Sequence, residues 1–124
     1  MNIRFDIDLG TGKLKGVLTL KPDELCVEWR RYNLFDAPVG SLESISTPFS
    51  DLAGVSVTRK FRRPIIEISA HAASTFGPIP LPGDDLATLK ARVARPDRGE
   101  AEAWGAEASL RIANAISGGN LLES

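Results

Sequence analysis

A mainly β domain of seven antiparallel strands, closed by one C-terminal α-helix, is the fold class this sequence predicts. Two observations predict it. Apolar and polar residues alternate with period two through most of the chain up to residue 94, the pattern of strands with one buried and one wet face. Beyond residue 97 the spacing changes to three and four in an alanine-rich, proline-free run, the pattern of a helix with one apolar stripe.

The elements follow in order. Ile3, Phe5, Ile7 and Leu9 alternate with Asn2, Arg4, Asp6 and Asp8 over residues 2–9. Gly10-Thr11-Gly12 supplies a tight hairpin turn. Residues 13–20 return with Leu14, Gly16, Leu18 and Leu20 on the apolar side and Lys13, Lys15 and Thr19 on the other. Lys21-Pro22-Asp23 turns the chain into a third strand over 24–32, with Leu25, Val27 and Trp29 inward and Cys26, Glu28 and Arg30 outward. Residues 33–41, with Asn33, Asp36, Pro38 and Gly40, predict an exposed loop. A short strand at 42–47 around Leu42 and Ile45 stops at Pro48, since the residue before a proline is held extended.

Val55 and Val57 place a fifth strand in 54–60, and Ile66, Ile68 and Ala70 a sixth in 65–72. The short connection between them suits antiparallel neighbours. Three prolines in 77–83 remove backbone donors and exclude helix or central strand there. A seventh strand over 86–94 sets Leu89 and Val93 against Thr88, Lys90 and Arg92.

From Arg98 to Ser117, Ala101, Trp104, Ala108, Ile112 and Ala115 form the helical stripe. Asp97 is placed as N-cap with Glu100 completing a capping box, and Gly118-Gly119 as the stop. A single domain over 1–117 with a short tail, 118–124, results. Seven strands cannot leave an apolar face open to water, so they curl into a barrel or sandwich, and the helix plugs an open end.

This element order resembles the pleckstrin-homology-like (PH-like) fold of bacterial type. Pro48-Phe49-Ser50-Asp51-Leu52, leading into the Val55–Val57 strand, looks like the run that precedes a strand in bacterial PH-like domains. Trp104 resembles the tryptophan with which PH helices plug the barrel. Arg95-Pro96-Asp97-Arg98 is similar in placement to the junction between last strand and helix. The resemblance spans residues 2–117 and implies a scaffold for binding lipid head groups, peptides or proteins, with no catalytic residues. Phosphoinositide-binding members place a lysine and an Arg/Lys-x-Arg group across their first hairpin. Lys13 and Lys15 lie on the matching strand here, but Glu28-Trp29-Arg30-Arg31 departs from the rest of that pattern.

At 124 residues, 43% hydrophobic and 25% charged, the chain fits one globular core. A net charge of −1 supplies no global field for nucleic acid, and none is expected as a partner. Cys26 is the only cysteine, which leaves no intrachain disulfide. The N-terminus lacks the pattern of a signal peptide, and no apolar run approaches the roughly 20 residues of a membrane span. A cytoplasmic location, with peripheral membrane attachment as the variant, is the expectation.

Chemistry-bearing residues are few. His71, the only histidine, shares the polar face of the expected sixth strand with Glu67 and Ser69. Residues two apart on a strand lie roughly 6.8 Å apart, too far for the roughly 2.6–3.2 Å bonds of a triad. Neither Asp84-Asp85 nor Asp6/Asp8 has calcium-loop spacing, and one His with one Cys makes no zinc site. Gly10-Thr11-Gly12-Lys13 joins two strands and lacks the hydroxyl of a phosphate loop. Pro78-Ile79-Pro80-Leu81-Pro82 reads as a rigid crossing packed through Ile79 and Leu81 rather than a polyproline ligand.

The densest positive charge is Arg59, Lys60, Arg62 and Arg63, between the fifth and sixth strands, with Arg30 and Arg31 as neighbours to be tested. The expectation is a non-catalytic binding or scaffolding module without cofactor or metal, acting through a protein partner or self-association. The alternative is an anionic phospholipid surface held by that basic cluster. A small-ligand carrier or minor enzyme ranks third.

Overall fold

The computed structural model describes residues 1–60 and 63–123, with side chains placed in all of these except Lys60 and 118–123. Seven strands, β1 (Asn2–Asp8), β2 (Gly12–Leu20), β3 (Glu24–Asn33), β4 (Pro38–Pro48), β5 (Leu52–Lys60), β6 (Arg63–Ala70) and β7 (Thr88–Val93), precede one helix, α1 (Ala101–Glu123). They form a single sheet in the order β4-β3-β2-β1-β7-β6-β5, antiparallel at every junction. The predicted mainly β class, seven antiparallel strands and a C-terminal helix, is what the chain adopts.

The inward residues are those the alternation selects. Ile3, Phe5 and Ile7 of β1, Leu14 and Leu18 of β2, and Leu25, Val27 and Trp29 of β3 are all buried. From the other half come Ile66, Ile68, Leu89, Ala91 and Val93, and the helix adds Ala101, Trp104, Ala108 and Ile112. Phe5, Gly16 and Trp29 fall in one cross-strand row, so a glycine stands between two large rings. The first hairpin turns at Gly10 with φ 79°, a left-handed value glycine adopts without strain. Asp8 Oδ1 accepts from the Gly10 N–H at 2.8 Å, and Gly12 O accepts from Leu9 N–H at 2.9 Å.

Several local expectations are corrected. β4 begins at Pro38, so the loop expected over 33–41 shrinks to 34–37. Residues 38–44 are all exposed and only Ile45 and Thr47 near its end are covered, so its first part carries no alternation. Cys26 lies on the outer face yet is buried, opposite Thr19 and Ser46. β6 ends at Ala70, which leaves His71 beyond the strand, exposed and bonded through its N–H to Asp51 O at 3.1 Å.

α1 starts at Ala101, after a 3-10 turn over Arg95–Glu100, and Asp97 does not cap it. The Asp97 carboxylate instead accepts from the Arg4 backbone N–H at 2.8 Å and from its guanidinium at 2.9 and 3.0 Å. A fork of charge-assisted bonds to a neighbouring strand outweighs a single capping bond. The helix also continues through Gly118-Gly119 to Glu123. Glycine lowers helix propensity but keeps its N–H donor, so two glycines weaken a helix without ending it.

β1 and β7 share only two residue pairs, Phe5↔Val93 and Asp6↔Arg92. Two carboxylates reinforce this junction. Asp97 reaches Arg4, as above, and the Ala94 N–H donates to Arg4 O at 2.9 Å. Asp6, buried on the outer face, holds Arg92 Nε at 2.7 Å on one oxygen and the Arg63 guanidinium on the other. Arg63 Nε also reaches Val93 O at 2.8 Å.

The Arg4 hydrogen bonds hold the Asp97 carboxyl below the usual carboxylate range. A depressed folded-state pKa contributes stability that is complete above the unfolded value, about 3.9, and is lost as pH falls through the lower folded one. Asp36, bonded to Lys15, is lowered in the same sense. Asp97→Asn is therefore expected to lower Tm by several degrees at neutral pH and to flatten its fall below about pH 4. Thermal melts across pH 2.5–7, roughly the range that brackets both states, check this; parallel wild-type and variant curves would refute it.

Candidate functional site

Of the basic cluster expected between the fifth and sixth strands, the described side chains are those of Arg59 and Arg63, and each is paired within the molecule. Arg63 opens β6 and is turned onto Asp6 and Val93, where it serves the β1–β7 junction. Arg59 pairs with Glu102 of α1 at 2.9 Å. Arg62 and the Lys60 side chain lie outside the described residues. Arg30 and Arg31 sit on β3, separated from β6 by β2, β1 and β7. Arg30 donates from Nε to Gly40 O at 3.1 Å. Arg31 is exposed, between Leu14 and Val39 in the register.

The register gathers a different set of charges. Lys15 lies opposite both Arg30 and Asp6, and Asp6 opposite Arg92, so one row crosses four strands on the outer face. Most of its positive charge is neutralised within the molecule. Lys15 Nζ contacts Asp36 Oδ1 at 2.5 Å and stands 4.7 Å from the centroid of the Tyr32 ring. Lys13 lies near the end of this face and Arg31 near the same end of the opposite face, in the row of Leu14, and neither forms an ion pair among the described residues.

That end, where β1 passes into β2 and β3 into β4, carries the clefts of the molecule that matter here. One of 360 Å³ is lined by Asp8, Lys13, Lys15, Asn33, Leu34 and Asp36. Another, of 180 Å³, opens between Ile7 and the 81–85 loop, with Asp84, Asp85 and Lys90 on its wall. The proline segment behaves as a crossing: Ile79 is in the core and Leu81 packs against it. Among the described residues no three His, Cys, Asp or Glu side chains converge as for a metal ion. No helix among them is long and apolar enough to cross a membrane.

Above the larger cleft stands the tip of the β3–β4 hairpin. Asn33 organises it: its Oδ1 accepts from Phe35 N–H at 2.9 Å and Ala37 N–H at 3.1 Å, and its own N–H donates to Ala37 O at 2.9 Å. Asp36 takes φ 61°, the left-handed region that Asn and Asp tolerate best among side-chain residues. This locked turn holds Leu34 74% exposed and Phe35 91% exposed. Val39, 48% exposed, follows on the returning strand. These residues were not singled out by charge or motif. The available signal was the pair of large apolar residues inside a polar turn, Asn33-Leu34-Phe35-Asp36.

A rigid tip of this kind can insert two apolar side chains into a partner while Lys13 and Arg31 offer cations at its base. Compared with protein-family models, curated proteins and solved structures, the chain matches none of them.

Proposed function

We propose that this chain is a non-catalytic binding module of the PH-like kind, which docks a protein partner through the tip of its β3–β4 hairpin. The observation that carries this reading is the exposure of Leu34 and Phe35 on a turn fixed by the Asn33 side chain. A large apolar pair held in water by an ordered turn gains nothing in the monomer; burial against a partner would gain about 1.5–3 kcal/mol per side chain. Seven antiparallel strands followed by a helix whose Trp104 is buried in the core support the PH-like assignment.

The test is a comparison of partner capture by the wild-type chain and by Leu34→Ser/Phe35→Ser. Both positions are exposed, so the double variant should keep its Tm to within a few degrees and lose the captured partners. An unchanged set of partners would remove the tip from the interface.

A second reading, an anionic membrane surface, is favoured by Lys13 and Arg31 beside that apolar tip. Lysine and arginine near an anionic bilayer contribute about 1 kcal/mol each, and apolar tip residues add burial in the acyl boundary. Sedimentation with anionic and zwitterionic vesicles at low and high salt separates the readings. Salt-sensitive retention on anionic vesicles alone favours the membrane.

A further inference from the structure

We infer that two copies of this chain pair through β4, antiparallel and centred on Ile45. The inference rests on the binding-module reading and adds self-association as a second use of the same hairpin. The sheet has two edge strands, and the fold treats them oppositely. β5 is covered by α1: Ser109 Oγ donates to Val55 O at 3.3 Å, and Glu102 pairs with Arg59. Gly105 lies so close that a Cβ there would stand 2.5 Å from Val57 Cγ2.

β4 has no such cover. It pairs with β3 alone, and its residues are exposed except for Ile45, half-buried, and Thr47, buried. An uncovered edge presents a row of backbone N–H and C=O groups that can template another strand. Proteins blunt such edges with lysine, a central proline or a bulge. β4 has a bulge only in its first part, around Gly40, where φ is 80° and Arg30 occupies the carbonyl. Beyond it, Leu42 to Pro48 carries one charge, Glu43, and no proline before its last residue. Its ladder with β3 is regular from Glu43 to Pro48. Leu42, 64% exposed, adds an apolar residue at its start.

This segment is complementary to itself. A two-fold axis through Ile45 sets Ile45 against Ile45, Ser44 against Ser46, Glu43 against Thr47 and Leu42 against Pro48. The single charge never meets its own copy, and the two sheets join into one continuous sheet.

Sedimentation equilibrium of the full chain over a wide concentration range should show a monomer–dimer equilibrium. Ser44→Lys/Ser46→Lys places lysine against lysine twice across the axis and should weaken dimerisation at least about tenfold, with circular dichroism and Tm unchanged. Ser44→Lys/Ser46→Glu places lysine against glutamate and should restore the dimer at low salt. A wild-type chain monomeric throughout the range overturns the inference. A double-lysine variant that dimerises like wild type, or a Lys/Glu variant that stays monomeric, overturns the pairing as well. Leu34→Ser/Phe35→Ser should still dimerise, so failure at the tip and failure at the edge are read separately.

Discussion

Trp104→Ala is expected to destabilise the protein by about 3–5 kcal/mol, the range for emptying a fully buried large aromatic site. Trp104 is 1% exposed and is the largest side chain that α1 sends into the core. The other core residues of the helix are Ala101, Ala108 and Ile112, so Trp104 supplies most of the apolar volume that α1 buries. Chemical denaturation monitored by circular dichroism measures the loss. A companion variant isolates the cause. The Trp104 indole N–H is buried without an acceptor, and an unmet donor costs about 1–3 kcal/mol. Trp104→Phe removes that donor while keeping most of the ring, and should cost much less than the alanine change. Equal losses for the two would mean that the indole's full width, rather than apolar filling, holds the helix down.

The second large effect is expected at Gly16. A Cβ built there would lie 1.9 Å from the Glu28 carbonyl oxygen and 3.0 Å from the Phe5 ring. The first contact is with backbone of the paired strand, which cannot rotate away as a flexible side chain could. Gly16→Ala must therefore force β2 and β3 apart in the middle of their ladder, opposite Trp29. A loss of about 3 kcal/mol, at the upper end of ordinary overpacking, is expected. Gly54→Ala is the control, since a Cβ there meets nothing within 4 Å. Urea midpoints of the two variants decide the matter. A Gly16→Ala protein as stable as the Gly54→Ala protein would show that the strands yield easily.

The central strands were legible because their physics is local. Ile3, Phe5 and Ile7 had to face one way whatever they packed against, and their alternation says so. Trp104 was legible for the same reason, being one member of a helical stripe. The errors share the opposite character. Asp97 has the sequence position of a helix cap, but its partner, Arg4, stands at the other end of the chain. Arg63 looked like one cation of a surface cluster until Asp6 and Val93 were brought beneath it by the sheet order. Only the second half of β4 is marked in the sequence, because residues 38–44 are exposed on both faces and carry no alternation. The candidate site escaped for a related reason. Leu34 and Phe35 carry no charge, nucleophile or metal ligand, and only their exposure in the folded chain makes them conspicuous.

The narrow β1–β7 junction has a consequence for how the chain acquires its shape. β1 to β4 are joined by successive hairpins, and β5 and β6 by another, so these ladders link residues near in sequence. Phe5↔Val93 and Asp6↔Arg92 instead close a loop of most of the polypeptide. Such closure costs chain entropy before any contact repays it. That entropy predicts that the hairpins form before the two groups of strands meet, an order that φ-values at Phe5 and Val93 would check. The carboxylates Asp6 and Asp97 act as latches that keep the finished molecule from reopening along the line where it was sealed.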